Sequence, residues 1–147
     1  MSAQSHIRQL YDAVNAKDLA VIEAFGCDES EWLDVPFDYL ATGPRAIVEP
    51  WIAWFSYFPD ANSVPYSLVE LGDTVVAQGI GRGTHQGAFD SPAGRIEPSG
   101  RSIEIRFCDV YRLRGDKIIR ADSYFDFYTL LAQLASDLLP AIAGEAR

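Results

Sequence analysis

The segment from Arg101 to Leu113 alternates regularly between two faces. Its odd positions are Ile103, Ile105, Phe107, Asp109, Tyr111 and Leu113, and its even positions are Ser102, Glu104, Arg106, Cys108, Val110 and Arg112. A period of two is typical of a strand that buries one face and exposes the other. This feature constrains the fold strongly, because a sheet with one apolar face has to be covered by other elements.

Asp109 is the exception on the apolar face of this strand. A buried carboxylate costs free energy unless it is paired, hydrogen-bonded or protonated, and burial raises its pKa. Such an outlier is a candidate functional residue. The alternative is a structural Asp whose oxygens are satisfied by a buried tyrosine, an arginine or water.

The spacing of apolar residues is helical up to Phe58 and strand-like after it. Ser5 is the expected N-cap of the first helix; the third helix is expected to begin at Pro44 and to kink at Pro50. We predict helices from residue 5, over 19–25, from residue 43 and over 126–134, strands over 32–35, 64–71, 74–85, 101–113 and 118–125, and a loop over 88–100. Residues after 135 are expected to continue the last helix or fray. Helices followed by antiparallel strands predict an α+β fold with helices on one face of a curved sheet.

The turn at Gly115-Asp116 determines which residue faces Asp109 across the hairpin. A two-residue turn would place Asp122 opposite Asp109, whereas a three-residue loop would place Ser123 there. A slip of one residue exchanges the two faces of a strand, and Ser123 shares its face with the apolar residues of the segment. We therefore predict that Asp109 lies opposite Ser123 and that Asp122 points outward.

Three glycines, Gly79, Gly81 and Gly83, occupy one face of the strand that ends near His85. Glycine weakens a strand, so these residues either bend the sheet or clear space for a ligand. His85 is a candidate proton shuttle because imidazole titrates near neutrality. The alternative for His85 is a surface hydrogen-bonding group at the end of a strand.

Aromatic residues are concentrated on and after the third helix, where Trp51 and Trp54 are candidate walls of an apolar pocket. A pocket with a few convergent polar groups is the usual site for a small molecule. Ordinary core packing is the alternative for these rings. Asp34 shares a face of a short strand with Trp32. This pattern is equally compatible with a base in the pocket and with an exposed carboxylate.

The composition excludes several classes of function. Acidic residues outnumber basic ones by 21 to 12, and a net charge of −9 disfavours binding to nucleic acid. No apolar run is long enough to cross a bilayer, and the first residues lack a signal-peptide core, so we expect a cytoplasmic protein. Two histidines and two cysteines are too few for a His- or Cys-rich metal site, and no phosphate-binding loop is present. A chain of 147 residues is expected to form one domain over 1–147.

The order of these elements and several short segments resemble the SnoaL-like polyketide cyclase and ester cyclase group of the nuclear transport factor two-like superfamily. The resembling segments are residues 7–15, 58–60, 83–87, 98–101, 109–112 and 130–134. The resemblance implies a cone, in which the curved sheet wraps round the N-terminal helices and encloses an apolar pocket. It also implies a homodimer, for which the outward face with Arg106, Cys108, Val110 and Arg112 is a mixed surface of the kind found at interfaces.

The resemblance further implies the roles of the site residues. The acid/base Asp and the His of SnoaL-type cyclases correspond in position to Ser123 and Asp109. Ketosteroid isomerases share the cone, and their segment with a protonated Asp is similar to Asp109-Val110-Tyr111-Arg112. Their general base corresponds to a position near Asp34. Their oxyanion Tyr corresponds to Leu10, which is next to Tyr11. We therefore expect a cofactor-independent acid/base enzyme for a hydrophobic carbonyl compound, without a metal. The expected catalytic residues are Asp109, Asp34, Tyr111 and His85, and the expected substrate-binding residues are Trp51, Trp54, Phe107, Ser123, Phe125 and Tyr11. A binding or assembly module without catalysis is the alternative.

Overall fold

A computed structural model describes residues 1–135, so the prediction for the residues after 135 lies outside the described residues. The helices are α1 (Ala3–Ala16), α2 (Leu19–Glu23), α3 (Glu49–Tyr57) and α4 (Phe127–Leu134). The strands are β1 (Glu31–Asp34), β2 (Tyr39–Thr42), β3 (Asn62–Leu71), β4 (Thr74–Thr84), β5 (Phe89–Ser91), β6 (Gly94–Ile96), β7 (Ser102–Arg114) and β8 (Lys117–Phe125). None of the helices within residues 1–135 is long and apolar enough to cross a membrane.

The main sheet has the order β2-β1-β8-β7-β4-β3, and it confirms the predicted α+β fold. Every neighbouring pair in it is antiparallel except β1 and β8, which run parallel. The curved sheet wraps round the N-terminal helices, and a core of apolar residues fills the space between them. A separate pair of strands, β5 and β6, lies outside this sheet.

The first helix begins three residues earlier than the sequence suggested. The N-cap is Ser2, whose hydroxyl oxygen accepts a hydrogen bond from the backbone N–H of Ser5 at 3.1 Å. Lys17 ends the helix in a left-handed conformation. The predicted apolar face is nevertheless the buried one, because the helical period does not depend on where the cap lies, and it brings Tyr11 toward the sheet.

Two further boundaries differ from the prediction. The third helix begins at Glu49 and not at Gly43, so Pro50 lies in its first turn, where a missing N–H is harmless, and a kink is not required. The loop predicted over 88–100 contains a short hairpin, β5 and β6, which packs Phe89 and Ile96 against the core. β2 was not predicted, because its residues carry no strand-like alternation.

The predicted pairing of Asp109 with Ser123 is confirmed, although it arises in another way. The turn at Gly115-Asp116 has two residues, and Arg114 pairs with Lys117 directly beyond it. Ile119 is an extra residue, since Leu113 pairs with Ile118 while Arg112 pairs with Arg120. This β-bulge shifts the register by one residue, as a three-residue loop would have done.

The glycines of β4 face inward, and each has a different neighbour. A Cβ atom on Gly79 would lie 2.4 Å from the carbonyl oxygen of Val64 and 2.5 Å from the ring of Phe107. A Cβ atom on Gly83 would lie 2.9 Å from the Cβ of Phe58. Gly81 has room for a methyl group, since its nearest neighbour would be Ile105 at 3.6 Å, and it lies on the wall of a cavity. Two glycines therefore admit close packing, and the third lies beside open space.

We expect Gly79→Ala and Gly81→Ala to differ in stability although both lie on one face of β4. The methyl group at position 79 would overlap a backbone oxygen and a ring, which we expect to cost about 1–3 kcal/mol. The methyl group at position 81 meets only ordinary contacts, and alanine restricts the unfolded chain, so the change should be within about 1 kcal/mol. Urea unfolding of both variants measures the difference. Equal destabilisation would contradict the close packing at Gly79.

Candidate active site

A small cavity with a volume of about 60 Å³ lies between the sheet and α3 and opens to solvent. Half of its lining residues are aromatic, and two carboxylates and two serines lie among them. The lining residues are Trp32, Asp34, Phe37, Pro50, Trp51, Trp54, Ser63, Gly81, Phe107, Asp109, Ser123 and Phe125. An apolar pocket with few polar groups is the usual form of a small-molecule site.

Asp109 is 2% exposed and accepts hydrogen bonds from three hydroxyl groups. Tyr11 from α1 donates to Oδ2 at 2.6 Å, and Tyr111 from the same strand donates to Oδ2 at 3.2 Å. Ser123 from β8 donates to Oδ1 at 2.7 Å. The two tyrosine oxygens are 2.8 Å apart. Both oxygens of Asp109 are therefore satisfied by the protein, as a buried carboxylate requires.

Burial raises the pKa of Asp109 to about 6, although the hydrogen bonds from Tyr11, Ser123 and Tyr111 lower it. Burial and the charge of Asp109 raise the pKa values of both tyrosines well above their usual value. The tyrosines therefore stay protonated at neutral pH. Asp109 is the member of this cluster that gains and loses a proton near physiological pH.

Asp34 lies in one row with Ser123 and Asp109 across three strands. Asp34 of β1 pairs with Ser123 of β8, which pairs with Asp109 of β7. At about 4.8 Å between strands, the Cα atoms of the two carboxylates are about 10 Å apart. Both side chains line the cavity. The row therefore directs two carboxylates to one space, with a serine between them.

The environment of Asp34 is less enclosed than that of Asp109. Its Oδ1 accepts a hydrogen bond from the indole N–H of Trp32 at 3.0 Å. Burial raises the pKa of Asp34, whereas this hydrogen bond lowers it. The charge of Asp34 in turn raises the pKa of Asp109. The two carboxylates thus interact, and Asp34 is the less buried of the two.

The expected substrate-binding residues divide into two groups. Trp51, Trp54, Phe107 and Phe125 line the cavity together with Ser123. Tyr11 and Tyr111 do not line it, since both rings lie behind Asp109 and are buried. Tyr11 stacks on Phe107 with ring centroids 5.7 Å apart. The tyrosines therefore act on the cavity through Asp109. Tyr11 was expected to bind substrate directly and does not line the cavity, and Tyr111 was expected to assist Asp109.

Trp51 carries an unusual donor. Its Nε1 is buried and has no hydrogen-bond acceptor among residues 1–135. The indole packs edge-on against Tyr11 and Trp32, with ring centroids 6.5 Å and 5.8 Å apart. Leaving a buried donor without an acceptor costs about 1–3 kcal/mol. This unsatisfied hydrogen therefore belongs to a residue that lines the cavity.

The structure does not bring His85 to the cavity. Ala77 pairs with Asp109, and His85 lies eight residues further along, about 25 Å away at about 3.3 Å per residue. Its Nδ1 accepts the backbone N–H of Ser99 at 3.2 Å, and its ring packs between Phe58 and Phe89. Burial lowers the pKa of His85. A neutral, enclosed histidine in this position belongs to the packing round the β5–β6 hairpin.

Sequence reasoning missed several residues of the cavity wall. Trp32, Phe37, Pro50 and Ser63 line the cavity, although none was selected as a site residue. Trp32 carried a signal, because it shares a face with Asp34. Ser63 belongs to the first residues of β3, where its backbone pairs with the side chain of Asn15 at 2.8 Å and 2.9 Å. That contact spans 48 residues, so no local pattern could have shown it.

A second, open cleft continues from the cavity and shares Asp34, Phe37, Pro50 and Trp54 with it. The hairpin of β5 and β6 and the residues beside it contribute Asp90, Ser91 and Pro92 to this cleft. Asp34, Glu49 and Asp90 make its rim acidic, and no Lys or Arg is among its described lining residues. Within residues 1–135 no group of three His, Cys, Asp or Glu side chains is arranged to hold a metal ion.

Comparison with known proteins identifies the family. A model of the SnoaL-like polyketide cyclase family matches residues 5–134. The chain belongs to the SnoaL-like polyketide cyclase family. A search of curated proteins finds no match to this SnoaL-like chain.

Several solved structures share the fold of this chain. IdmH from Streptomyces antibioticus, a proposed polyketide cyclase, has 24% identity and a TM-score of 0.76, covering 91% of this chain and 99% of IdmH. A SnoaL-like polyketide cyclase from Agrobacterium tumefaciens has 18% identity and a TM-score of 0.71, covering 88% and 95%. A Catenulispora acidiphila protein with a ketosteroid isomerase-like fold, solved with trimethylamine, has 16% identity and a TM-score of 0.73, covering 88% and 91%. At these identities the similarity shows the fold of this SnoaL-like protein and nothing about its substrate.

We expect Asp109→Asn to stabilise this SnoaL-like protein relative to wild type more at pH 8 than at pH 4. The pKa of Asp109 rises on folding from 3.8 to about 6, so the folded state favours the protonated acid. The stability that protonated Asp109 gives to the folded wild-type protein is fully present below pH 3.8 and is lost as the pH rises through 6. The shift corresponds to about 3 kcal/mol, and asparagine does not titrate. Urea unfolding at both pH values measures the difference in free energy of unfolding between variant and wild type. The same difference at pH 4 and pH 8 would contradict this prediction.

Proposed function

We propose that this protein is a cofactor-independent enzyme that transfers a proton on a hydrophobic, carbonyl-bearing small molecule, as polyketide cyclases and ketosteroid isomerases do. The observation that supports it is the pair of carboxylates, Asp34 and Asp109, in one apolar cavity with unequal environments. Two titratable groups whose surroundings separate their pKa values are suited to the roles of base and acid. Family membership supports the same type of chemistry.

Asp34 is the proposed base. It borders the cavity, and the Trp32 indole N–H holds one of its oxygens at 3.0 Å, which leaves the other oxygen for a substrate proton. Its raised pKa makes it a stronger base than an exposed carboxylate. General-base action requires the carboxylate form, which the Trp32 hydrogen bond favours because it lowers the pKa of Asp34.

Asp109 is the proposed acid. In its protonated form it donates a hydrogen bond to the oxygen of the substrate carbonyl, which becomes negative when Asp34 removes a proton from the neighbouring carbon. Tyr11, Tyr111 and Ser123 are positioning residues, because each holds an oxygen of Asp109 and none has to leave it. A donor that is fixed before the charge develops stabilises it without reorganisation.

The proposed substrate is apolar and without negative charge. Six of the twelve residues that line the cavity are aromatic, and the adjoining cleft has no Lys or Arg among its described lining residues to bind an anion. A cyclic ketone or a folded polyketide chain with ketone groups fits this description.

The homodimer expected through the outer face of β7 stays a prediction, and sedimentation at micromolar concentration measures it.

A binding protein without catalysis is the second candidate. The observation that favours it is that both oxygens of Asp109 already accept hydrogen bonds from protein hydroxyls. Carboxyl NMR titration of Asp34 and Asp109 separates the two functions. The enzyme requires Asp109 to titrate near 6 and to shift when a ketone binds, whereas ordinary surface pKa values for both carboxylates would exclude the enzyme.

The exchange of the α-protons of 2-tetralone for deuterium tests the enzyme directly. This bicyclic ketone has acidic C–H groups beside its carbonyl, and mass spectrometry follows their loss above the buffer rate. We expect Asp34→Asn to lower the catalysed rate by about 100- to 10,000-fold, since it removes the base. Asp109→Asn should lower it by about 100- to 1,000-fold, since an amide is a weaker donor.

Asp122→Asn is the matched control. Asp122 lies next to Ser123 but its carboxylate pairs with Arg120 on the other face of β8, at 2.7 Å. We expect this variant to exchange 2-tetralone at the wild-type rate. If all three variants retain that rate, the proposed function is wrong.

The pH dependence of exchange gives a further prediction. The rate constant kcat/KM should rise with pH as Asp34 ionises and fall above pH 6 as Asp109 loses its proton. The falling limb should be absent in Asp109→Asn, because the amide donates at every pH. Stopped-time exchange assays between pH 4 and pH 9 measure both limbs, and an alkaline limb that persists in Asp109→Asn would assign it to another group.

A further inference from the structure

Four polar hydrogens round the cavity already have an acceptor within the protein. The Trp32 N–H donates to Asp34 at 3.0 Å, and the Ser123 hydroxyl donates to Asp109 at 2.7 Å. The hydroxyls of Tyr11 and Tyr111 also donate to Asp109. A ligand oxygen in this space cannot use these donors without breaking a bond that holds one of the carboxylates.

The Trp51 N–H differs from all of them. Trp51 lines the cavity and is 8% exposed, and its Nε1 has no acceptor within residues 1–135. A buried donor without an acceptor needs an explanation, since nearly all such groups in proteins are paired. Trp51 packs between Tyr11, which holds Asp109, and Trp32, which holds Asp34.

We propose that the indole N–H of Trp51 is a second hydrogen-bond donor to the ligand oxygen that Asp109 binds, so that this cavity selects ligands with an enol or enolate oxygen. The inference rests on the proposed function for the identity of that oxygen. Indole is a donor only and keeps its hydrogen at every physiological pH. It can therefore support an oxygen whose charge changes during a reaction.

The electrons and atoms of the step balance without a co-reactant. Asp34 takes a proton from the carbon next to the carbonyl, and the C–H electron pair becomes the C=C bond of the enolate. The carbonyl π pair moves to oxygen, where the hydrogen bonds from Trp51 and Asp109 strengthen as the charge grows. Return of the proton to carbon restores a ketone, with no change of oxidation state.

2-Naphthol is a suitable probe because it has the shape of the 2-tetralone enol and an oxygen in the same place. Naphthalene has the same rings without that oxygen. All three tryptophans of the chain, Trp32, Trp51 and Trp54, line the cavity. The three indole N–H signals of ¹⁵N-labelled protein therefore report on the cavity, and Trp51→Phe and Trp54→Phe assign them.

We expect 2-naphthol to move the Trp51 N–H signal downfield and to slow its exchange with solvent, because a hydrogen bond deshields and protects the proton. Naphthalene should cause only ring-current shifts that both ligands share. If the naphthol binds and the Trp51 signal behaves as it does with naphthalene, the proposal is wrong. A downfield shift of the Trp54 signal instead would assign the donor to that residue.

The ratio of the two dissociation constants supplies a second readout that lost packing alone would not change. Trp51→Phe should weaken 2-naphthol relative to naphthalene by about 10- to 100-fold, the effect of one hydrogen bond to a partly charged oxygen. Trp54→Phe removes a similar ring and should weaken both ligands alike. Equal weakening in the two variants would reduce Trp51 to an apolar wall and overturn the proposal.

The two proposals fail in different ways. If Asp34→Asn and Asp109→Asn abolish exchange of 2-tetralone while Trp51→Phe leaves the naphthol ratio unchanged, only the role of Trp51 is wrong. If the Trp51 signal responds to 2-naphthol but wild type does not exchange 2-tetralone, the donor role stands and the enzyme does not. If neither 2-naphthol nor 2-tetralone binds, both are overturned.

Discussion

The burial of the Asp109 carboxylate is the constraint on which the site depends. Three hydroxyl groups from α1, β7 and β8 satisfy its oxygens, so the helix and both strands have to approach it together. Hydrogen bonds to a charged group are worth about 1.5–3 kcal/mol each, and they offset part of the cost of burial. The offset is incomplete, since the pKa of Asp109 still rises to about 6. A fully compensated carboxylate would stay ionised and would be of little use as an acid.

Strand register converts this local cluster into a pair of carboxylates. The bulge at Ile119 places Ser123 and not Asp122 opposite Asp109, and the parallel pairing of β1 with β8 places Asp34 beside Ser123. Without the bulge, Asp122 would face Asp109, and two adjacent charges would compete for one proton. Ser123 instead separates the carboxylates by a strand. Their coupling is then strong enough to raise the pKa of Asp109 and leaves each with its own partners.

The sequence predicted the parts of this arrangement that depend on local periodicity. Asp109 could be identified because the period of two places it among the apolar residues of one face. Its pairing with Ser123 followed from the apolar residues of the next strand. The row that joins Asp34 to Asp109 could not be predicted, since β1 and β8 are 89 residues apart at Glu31 and Arg120. His85 shows the opposite case. It was placed on the correct face of the sheet, but it follows the end of β4 and lies too far along the chain to line the cavity.

The protonation states of the cluster explain why one carboxylate is paired with two tyrosines. Burial raises the pKa of Asp109, and the charge on Asp109 raises the pKa values of Tyr11 and Tyr111 further still. The tyrosines thus remain donors over the pH range in which Asp109 titrates. Asp109 is therefore the group of this cluster that titrates near physiological pH, whereas the indole N–H of Trp51 does not titrate there. In the proposed mechanism, the acid and the second oxyanion donor are then different residues, which a lone buried aspartate could not provide.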